Sequence, residues 1–364
     1  MNGPESPFRK IPQYDQGPTG MCYSYAGAVL LNYHLLKQNP EAQIVDPIYM
    51  AVQSRLGEDG KIKEGVEGVD GGFIVDAING TRKHGGCSKD LTWEALREIR
   101  KIAPYFVAEE AVLVVLDKVL KDLRDSQNVE GPPLYACSTD PLYLLILDFV
   151  EKKGLRYKLA IEAIREIFSK CLSQPILVGN LPEAKLSRQF TTEALRARLD
   201  STLKDGFPMA LSIASTVFSR PSDRCIEVDT KSNLREVKLT KHHKCRAAGK
   251  GKHFKHAIVV AGQKKVNGKC HLLVRNSWGS AWGPKNEETG KPFHCACEQY
   301  IGSLDATPIY HSICPVSGGI DPKEAANPNL PVSQRSVYFK RGCWIPKEDL
   351  IANTAGVTTM GELP

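Results

Sequence analysis

QGPTGMCYSYA, residues 16–26, decides how the rest of this chain is read. Gln16 stands shortly before Cys22, and Cys22 opens an apolar, helix-compatible stretch. A helix N-terminus carries partial positive charge and stabilises a thiolate, the reactive form of cysteine. A side-chain amide nearby can donate a hydrogen bond to an oxyanion, as can the Cys22 backbone N–H. Far downstream, His256 enters the apolar run HAIVVAG and Asn276 opens NSWGSAWG. Cysteine, histidine and asparagine in this order supply a nucleophile, its base and the group that orients the base.

Working outward, Ala26, Val29, Leu30, Tyr33 and Leu36 follow helical spacing, so a buried helix is expected from Cys22 to about Lys37. Asp46-Pro47 reads as an N-cap followed by proline in the first helical turn, opening a helix that runs to about Leu56. Residues 57–72 are Gly-rich and acidic, hence loop, and Phe73 to His84 reads as a further helix ended by Gly85-Gly86. Val112, Leu116, Val119, Leu120 and Leu123 form an apolar stripe, and Ile161, Ile164, Ile167 and Phe168 form another. Both read as core packing rather than a cofactor site. A helix over about Glu193–Lys204 follows.

The pattern then changes. Pro208–Ala214, Ala257–Val260, His271–Arg275 and Val337–Ile345 are strand-like, separated by a polar insert at about 219–253 and by 284–333, where periodicity is weak. The expectation is an α+β protein of two lobes: residues 1–204 mainly helical and carrying Cys22, residues 205–364 β-rich and carrying His256 and Asn276.

Composition narrows the field. With 364 residues and 42% hydrophobic content the chain can build a proper core, and a net charge of +7 is too small to imply nucleic acid unless it is concentrated. It is locally concentrated at 238–255, which holds Lys238, Lys241, Lys244, Arg246, Lys250, Lys252 and Lys255. A solvated loop is the favoured reading; a cleft rim attracting acidic substrates is the other. No apolar run is long enough to span a membrane, and MNGPESPFRK lacks the apolar centre of a signal peptide. The 11 cysteines are an odd count. With Cys22 set aside as a nucleophile, the rest can pair in an oxidising compartment or remain as buried thiols in the cytosol; the first is slightly favoured. His242, His243, Cys245 and His253, and Cys295, Cys297 and Cys314, lack the paired spacing of structural zinc sites, so neither a metal nor a cofactor is expected.

QGPTGMCYSYA, HAIVVAG and NSWGSAWG together resemble the papain-like cysteine peptidases, with Gln16, Gly17, Gly20, Cys22, His256, Asn276, Ser277, Trp278, Gly279, Trp282 and Gly283 matching that family's pattern. The resemblance implies a helical lobe and an antiparallel β-barrel lobe, with large insertions at about 90–190, 219–250 and 284–335. It implies that Trp278 packs over the Asn–His hydrogen bond and that Gly71 and Gly72 form the wall of a substrate cleft. Lys255 would bring positive charge to that cleft, where the family more often has Asn, Asp or Gly. Thr19 stands where the family usually has a disulfide cysteine, so that bridge is absent. The Cys-to-His separation exceeds the roughly 130–150 residues usual in such enzymes, an excess that the helical insertion explains.

The sequence therefore points to an endopeptidase working through a thioester, with a peptide or protein as substrate and a protein inhibitor or propeptide as a further occupant of the cleft. The same residues also serve a deamidase, a transglutaminase or an isopeptidase. A non-catalytic binding protein on this fold is the third reading, and the presence of all four of Gln16, Cys22, His256 and Asn276 speaks against it. A secreted, periplasmic or lysosome-like location is weakly favoured.

Overall fold

The computed structural model describes residues 6–12, 14, 16, 19–66, 68–92, 94–95, 109–125, 141–156, 158–188, 190–214, 255–266, 268–277, 295–301, 309–311 and 336–361. The chain divides into two compact units, one of residues 16–184 and one of residues 1–15 with 185–364.

The first unit is helical. Helix α1 (Cys22–Gln38) is buried on every side from Tyr23 to Leu36, as its nearly unbroken apolar sequence requires. Helices α2 (Pro47–Gln53) and α3 (Ile74–His84) pack on it. At Gly27 the approach is close: a Cβ there would sit 3.4 Å from Met50 of α2 and 3.5 Å from Ala77 of α3. The start of α2 is fixed by the expected cap, Asp46 accepting from the Ile48 and Tyr49 N–H groups with Pro47 in the first turn. Helix α3 ends at Gly85, whose φ of 85° suits glycine.

Burying all of α1 takes polar residues out of water, and each needs a partner. The Asn32 side chain is fully buried and grips one residue of the following loop: its amide donates to the Val45 carbonyl at 2.8 Å and its oxygen accepts from the Val45 N–H at 2.7 Å. His34 is also buried, and desolvation, helped by Lys37, pushes its pKa down to about 4.

The expected helical insertion follows. Helices α4 (Glu109–Asp125), α5 (Pro141–Lys152), α6 (Ala160–Ile167) and α7 (Ser169–Ser173) bury the stripes read from the sequence, among them Val112, Leu116, Val119, Leu120, Ile161, Ile164 and Phe168. Tyr143 of α5 donates to Asp122 of α4 at 3.0 Å. A disulfide joins Cys87, after α3, to Cys171 in α7, with their Cα atoms 5.2 Å apart.

The second unit is an antiparallel sheet with helices. Its strands are β1 (Ala184–Ser187), β2 (Met209–Ala214), β3 (Lys255–Val266), β4 (Lys269–Arg275), β5 (Cys295–Ile301), β6 (Ile309–His311), β7 (Ser336–Pro346) and β8 (Thr354–Met360), in the order β1-β8-β2-β3-β4-β7-β5-β6. The barrel expected from the sequence is an open sheet among the described residues: β1 and β6 end the order and do not pair with each other. These end strands are four and three residues long.

Helix α8 (Thr192–Lys204), capped by Thr191, lays Leu195, Leu199 and Leu203 against the sheet. The sequence division at 204/205 groups this helix with the first lobe, but its leucines pack with the strands. Alternate strand residues complete that core: Met209, Leu211 and Ile213, then Ile258 and Val260, then Leu272 and Val274. Helix α9 (Lys347–Ala352) adds Leu350 and Ile351. No helix among the described residues is long and apolar enough to cross a membrane.

Replacing Asn32 by leucine keeps the volume and strips the Val45 N–H and carbonyl of their buried partner, which costs about 3 kcal/mol. A urea titration of Asn32→Leu is expected to show a clearly lowered midpoint with an unchanged slope.

Candidate active site

Cys22 is the first residue of α1, half-buried and outside any disulfide among the described residues. Its neighbours on both sides are anchored. Before it, Gln16 and Thr19 close a tight turn: the Gln16 amide donates to the Thr19 carbonyl at 2.6 Å and the Thr19 hydroxyl donates back to the Gln16 carbonyl at 2.7 Å. Gln16 is buried at 6% exposure. An amide NH2 has two hydrogens, and the bond to Thr19 uses one of them to fix where the group points.

After Cys22, the Tyr23 hydroxyl donates to the Val69 carbonyl at 2.8 Å and lies 3.3 Å from the Ser54 hydroxyl. Burial pushes the Tyr23 pKa up to about 12, so the phenol stays neutral; the Arg55 guanidinium acts the other way. The tyrosine ring also explains one glycine of the expected cleft wall. A Cβ on Gly72 would lie 2.7 Å from two Tyr23 ring carbons, so no other residue fits there without displacing the ring. Gly71, next to it, has φ +65°, a conformation that favours glycine. Both glycines are exposed.

The other two candidate residues lie in the sheet unit, and the register of β3 and β4 explains how they meet. Val259 pairs with Arg275. Ile258 and Val260 on β3 and Leu272 and Val274 on β4 all face the core. Side chains alternate along a strand, so His256 and Asn276 extend these two core rows by one step each. They end up bonded: His256 Nε2 lies 2.6 Å from Asn276 Oδ1. The Ser277 N–H donates to the same Asn276 atom at 2.8 Å, which identifies that atom as the amide oxygen. An amide oxygen accepts and does not donate. His256 Nε2 therefore carries a proton, and in the neutral ring Nδ1 is the basic nitrogen.

Both partners are buried, His256 at 5% and Asn276 at 4% exposure. Burial pushes the His256 pKa down to about 4, and the bond to Asn276 partly opposes this.

Arg275 entered the sequence reading only as the end of a strand, not as a site residue. Buried at 4% exposure, it donates to the Phe8 carbonyl at 3.2 Å and to the Ile11 and Pro12 carbonyls at 3.0 Å, with its guanidinium 5.0 Å from the centre of the Phe8 ring. The strand end that carries Asn276 is thereby tied to the N-terminal segment of the same unit. The signal was present as a charged residue within an apolar strand, but nothing in the sequence marks main-chain carbonyls as its partners.

Of the remaining expected site residues, Lys255 opens β3 opposite Ala214. Trp278 lies outside the described residues, as do positions 238–254 of the basic run. Among the described residues no group of His, Cys, Asp or Glu is arranged to hold a metal ion.

No protein-family model and no curated protein sequence matches the chain. Among solved structures it is similar to a digestive procathepsin L2 proteinase from Tenebrio molitor larval midgut, at 12% identity and a TM-score of 0.38, over 96% of this chain and 64% of that one. A digestive procathepsin L 3 of the same insect gives 14% identity and a TM-score of 0.34, over 78% of this chain and 63% of that one. A structure from work on the mite allergens Blo t 1 and Der p 1 gives 13% identity and a TM-score of 0.37, over 98% and 69%. The chain thus spans less than two thirds of the length of either procathepsin chain. Identities this low carry no information about activity.

The two buried histidines set a pH dependence. Each has a folded pKa of about 4 against an ordinary 6.5. Between those values each histidine binds more protons in the unfolded chain than in the folded one, so the contribution of this pair to stability is lost as pH is lowered from about 6.5 to about 4. In the Cys22→Ala protein, where no thiol proton intervenes, calorimetry is expected to show the melting temperature falling over that window. His34→Leu should flatten the slope.

Proposed function

We propose that this chain is a papain-like cysteine endopeptidase that hydrolyses peptide bonds through a thioester. The observation that carries the reading is the buried bond from His256 Nε2 to Asn276 Oδ1. It fixes a histidine tautomer whose Nδ1 can take a proton, an arrangement that a merely structural histidine does not require.

In this reading His256 takes the proton of the Cys22 thiol, and the start of α1 stabilises the thiolate. The thiolate sulfur attacks the scissile carbonyl carbon. A C–S bond forms and the carbonyl π electrons move to oxygen, where the Cys22 N–H and the Gln16 amide donate to the oxyanion. As the C–N bond breaks, His256 returns its proton to the leaving amine. A water then gives a proton to His256 Nδ1 as its oxygen bonds to the thioester carbon; the C–S bond breaks, the acid leaves, and the proton on His256 returns to the Cys22 sulfur.

An extended peptide would run along the backbone of Gly71 and Gly72. Lys255 would place positive charge near it, and Trp278 would shield the histidine–asparagine bond from water. A protein inhibitor or propeptide would occupy the same groove. The Cys87–Cys171 disulfide favours an oxidising setting, secreted, periplasmic or lysosome-like.

The test is hydrolysis of a diverse fluorogenic peptide library under mild reductant. Cleavage is expected from the wild type and not from Cys22→Ala or after treatment with an epoxide thiol inhibitor. Gln16→Ala and Asn276→Ala should each lower kcat/KM by roughly 100-fold. Absence of cleavage from a protein whose Cys22 is still alkylated quickly at neutral pH would replace this reading with another acyl transfer, such as deamidation, transglutamination or isopeptide cleavage. A sluggish thiol as well would replace it with a binding protein.

A further inference from the structure

The Gly20 peptide, just ahead of Cys22, is held from both sides. Asp70 Oδ1 accepts from the Gly20 N–H at 2.8 Å, and the Gly71 N–H donates to the Gly20 carbonyl at 3.0 Å. The approach is tight: a Cβ on Gly20 would lie 3.2 Å from the Gly71 nitrogen and 3.3 Å from both Cβ and Oδ1 of Asp70, so a larger residue would press the Asp70 side chain aside by a few tenths of an ångström. Behind this contact stands Arg55. Its Nη2 donates to the Asp70 carbonyl at 3.0 Å and also to the Gly71 carbonyl. Its guanidinium lies 5.4 Å from the centre of the Tyr23 ring, and Tyr23 in turn holds the Val69 carbonyl.

Cys22 therefore sits between two ties to one short loop, Gly20 before it and Tyr23 after it. The second tie is buried packing around the tyrosine. The first adds to the main-chain bond from Gly71 a side chain that fills no core, because Asp70 is exposed. An exposed carboxylate that accepts from the backbone two residues ahead of a half-buried thiol acts on where that thiol and its own N–H point.

We propose that Asp70 is a positioning residue for Cys22: its carboxylate oxygen, as a hydrogen-bond acceptor rather than as a charge, holds the Gly20 peptide and so sets the Met21–Cys22 turn against the Gly71–Gly72 wall. This rests on Cys22 being the nucleophile of the reading above. Arg55 fixes the loop from which Asp70 acts.

Asparagine and alanine at position 70 separate the two roles, since asparagine keeps the acceptor oxygen and loses the charge, while alanine loses both. The experiment measures the second-order rate of Cys22 alkylation by iodoacetamide from pH 5 to 8, resolved at Cys22 by mass spectrometry, in wild type, Asp70→Asn and Asp70→Ala. Melting temperatures and peptide kcat/KM are taken in parallel. At pH 6, Asp70→Asn is expected within about 2-fold of wild type and Asp70→Ala at least about 5-fold slower, with similar melting temperatures. Equal rates for the two variants would overturn the proposal. Should Asp70→Ala fail to fold, Gly20→Ala keeps the carboxylate and wedges it away; it is expected to slow alkylation by a similar factor, and an unchanged rate would overturn the proposal. The two readings fail separately. A split between alanine and asparagine in a protein that cleaves no peptide refutes the peptidase and leaves the positioning role. Peptide cleavage with no split does the reverse.

Discussion

A single hydrogen bond, from His256 Nε2 to Asn276 Oδ1, is the constraint on which the candidate site in the sheet unit turns. It joins His256 on β3 to Asn276, the residue that follows β4, and survives only if the two strands keep their register, because a slip by one residue would send one partner to the opposite face. The register is held by what lies behind the pair: Ile258 and Val260 on one strand and Leu272 and Val274 on the other, packed under the leucines of α8. The pair is thus the last rung of a hydrophobic ladder, and its position follows from the core. Arg275 adds a second hold, pinning the end of β4 to three main-chain carbonyls of the N-terminal segment. Burial gives the bond its strength and also disfavours charge on the ring. The outcome is a histidine that is oriented, kept in one tautomer and reluctant to hold a second proton.

The helical unit solves a different problem. Helix α1 is held by the burial of Tyr23 to Leu36, with α2 and α3 packed on it and Asn32 stitched to Val45. The segment before the helix gains its stiffness from short-range bonds among Gln16, Thr19 and Gly20 and the loop carrying Asp70 and Gly71. Thr19 is instructive here. Its side chain cannot form a covalent bridge, yet its hydroxyl and carbonyl close the turn that aims the Gln16 amide.

Much of this was legible in the chain itself. Apolar spacing marked α1, α4 and α6, the Gly85-Gly86 stop marked α3, and Asp46-Pro47 marked the start of α2, because these signals are local. Strands β2, β4 and β7 were visible from alternation. Strands β5 and β6 were not, since their residues carry little periodicity, and an open sheet took the place of the expected barrel because strand order is a long-range property. In the same way Gln16, Cys22, His256 and Asn276 stood out by residue type and order. Arg275, Arg55 and the bond made by Asp70 did not, since their partners are mostly main-chain groups whose positions exist only once the chain has folded.

The most direct test of the central claim is 15N NMR of the His256 ring in the Cys22→Ala protein, followed from pH 7.5 down to 4. A ring protonated at Nε2 and bare at Nδ1, remaining neutral until the pH approaches about 4, is the predicted result. A proton on Nδ1 in the neutral ring, or titration near the ordinary value of about 6.5, would contradict the account.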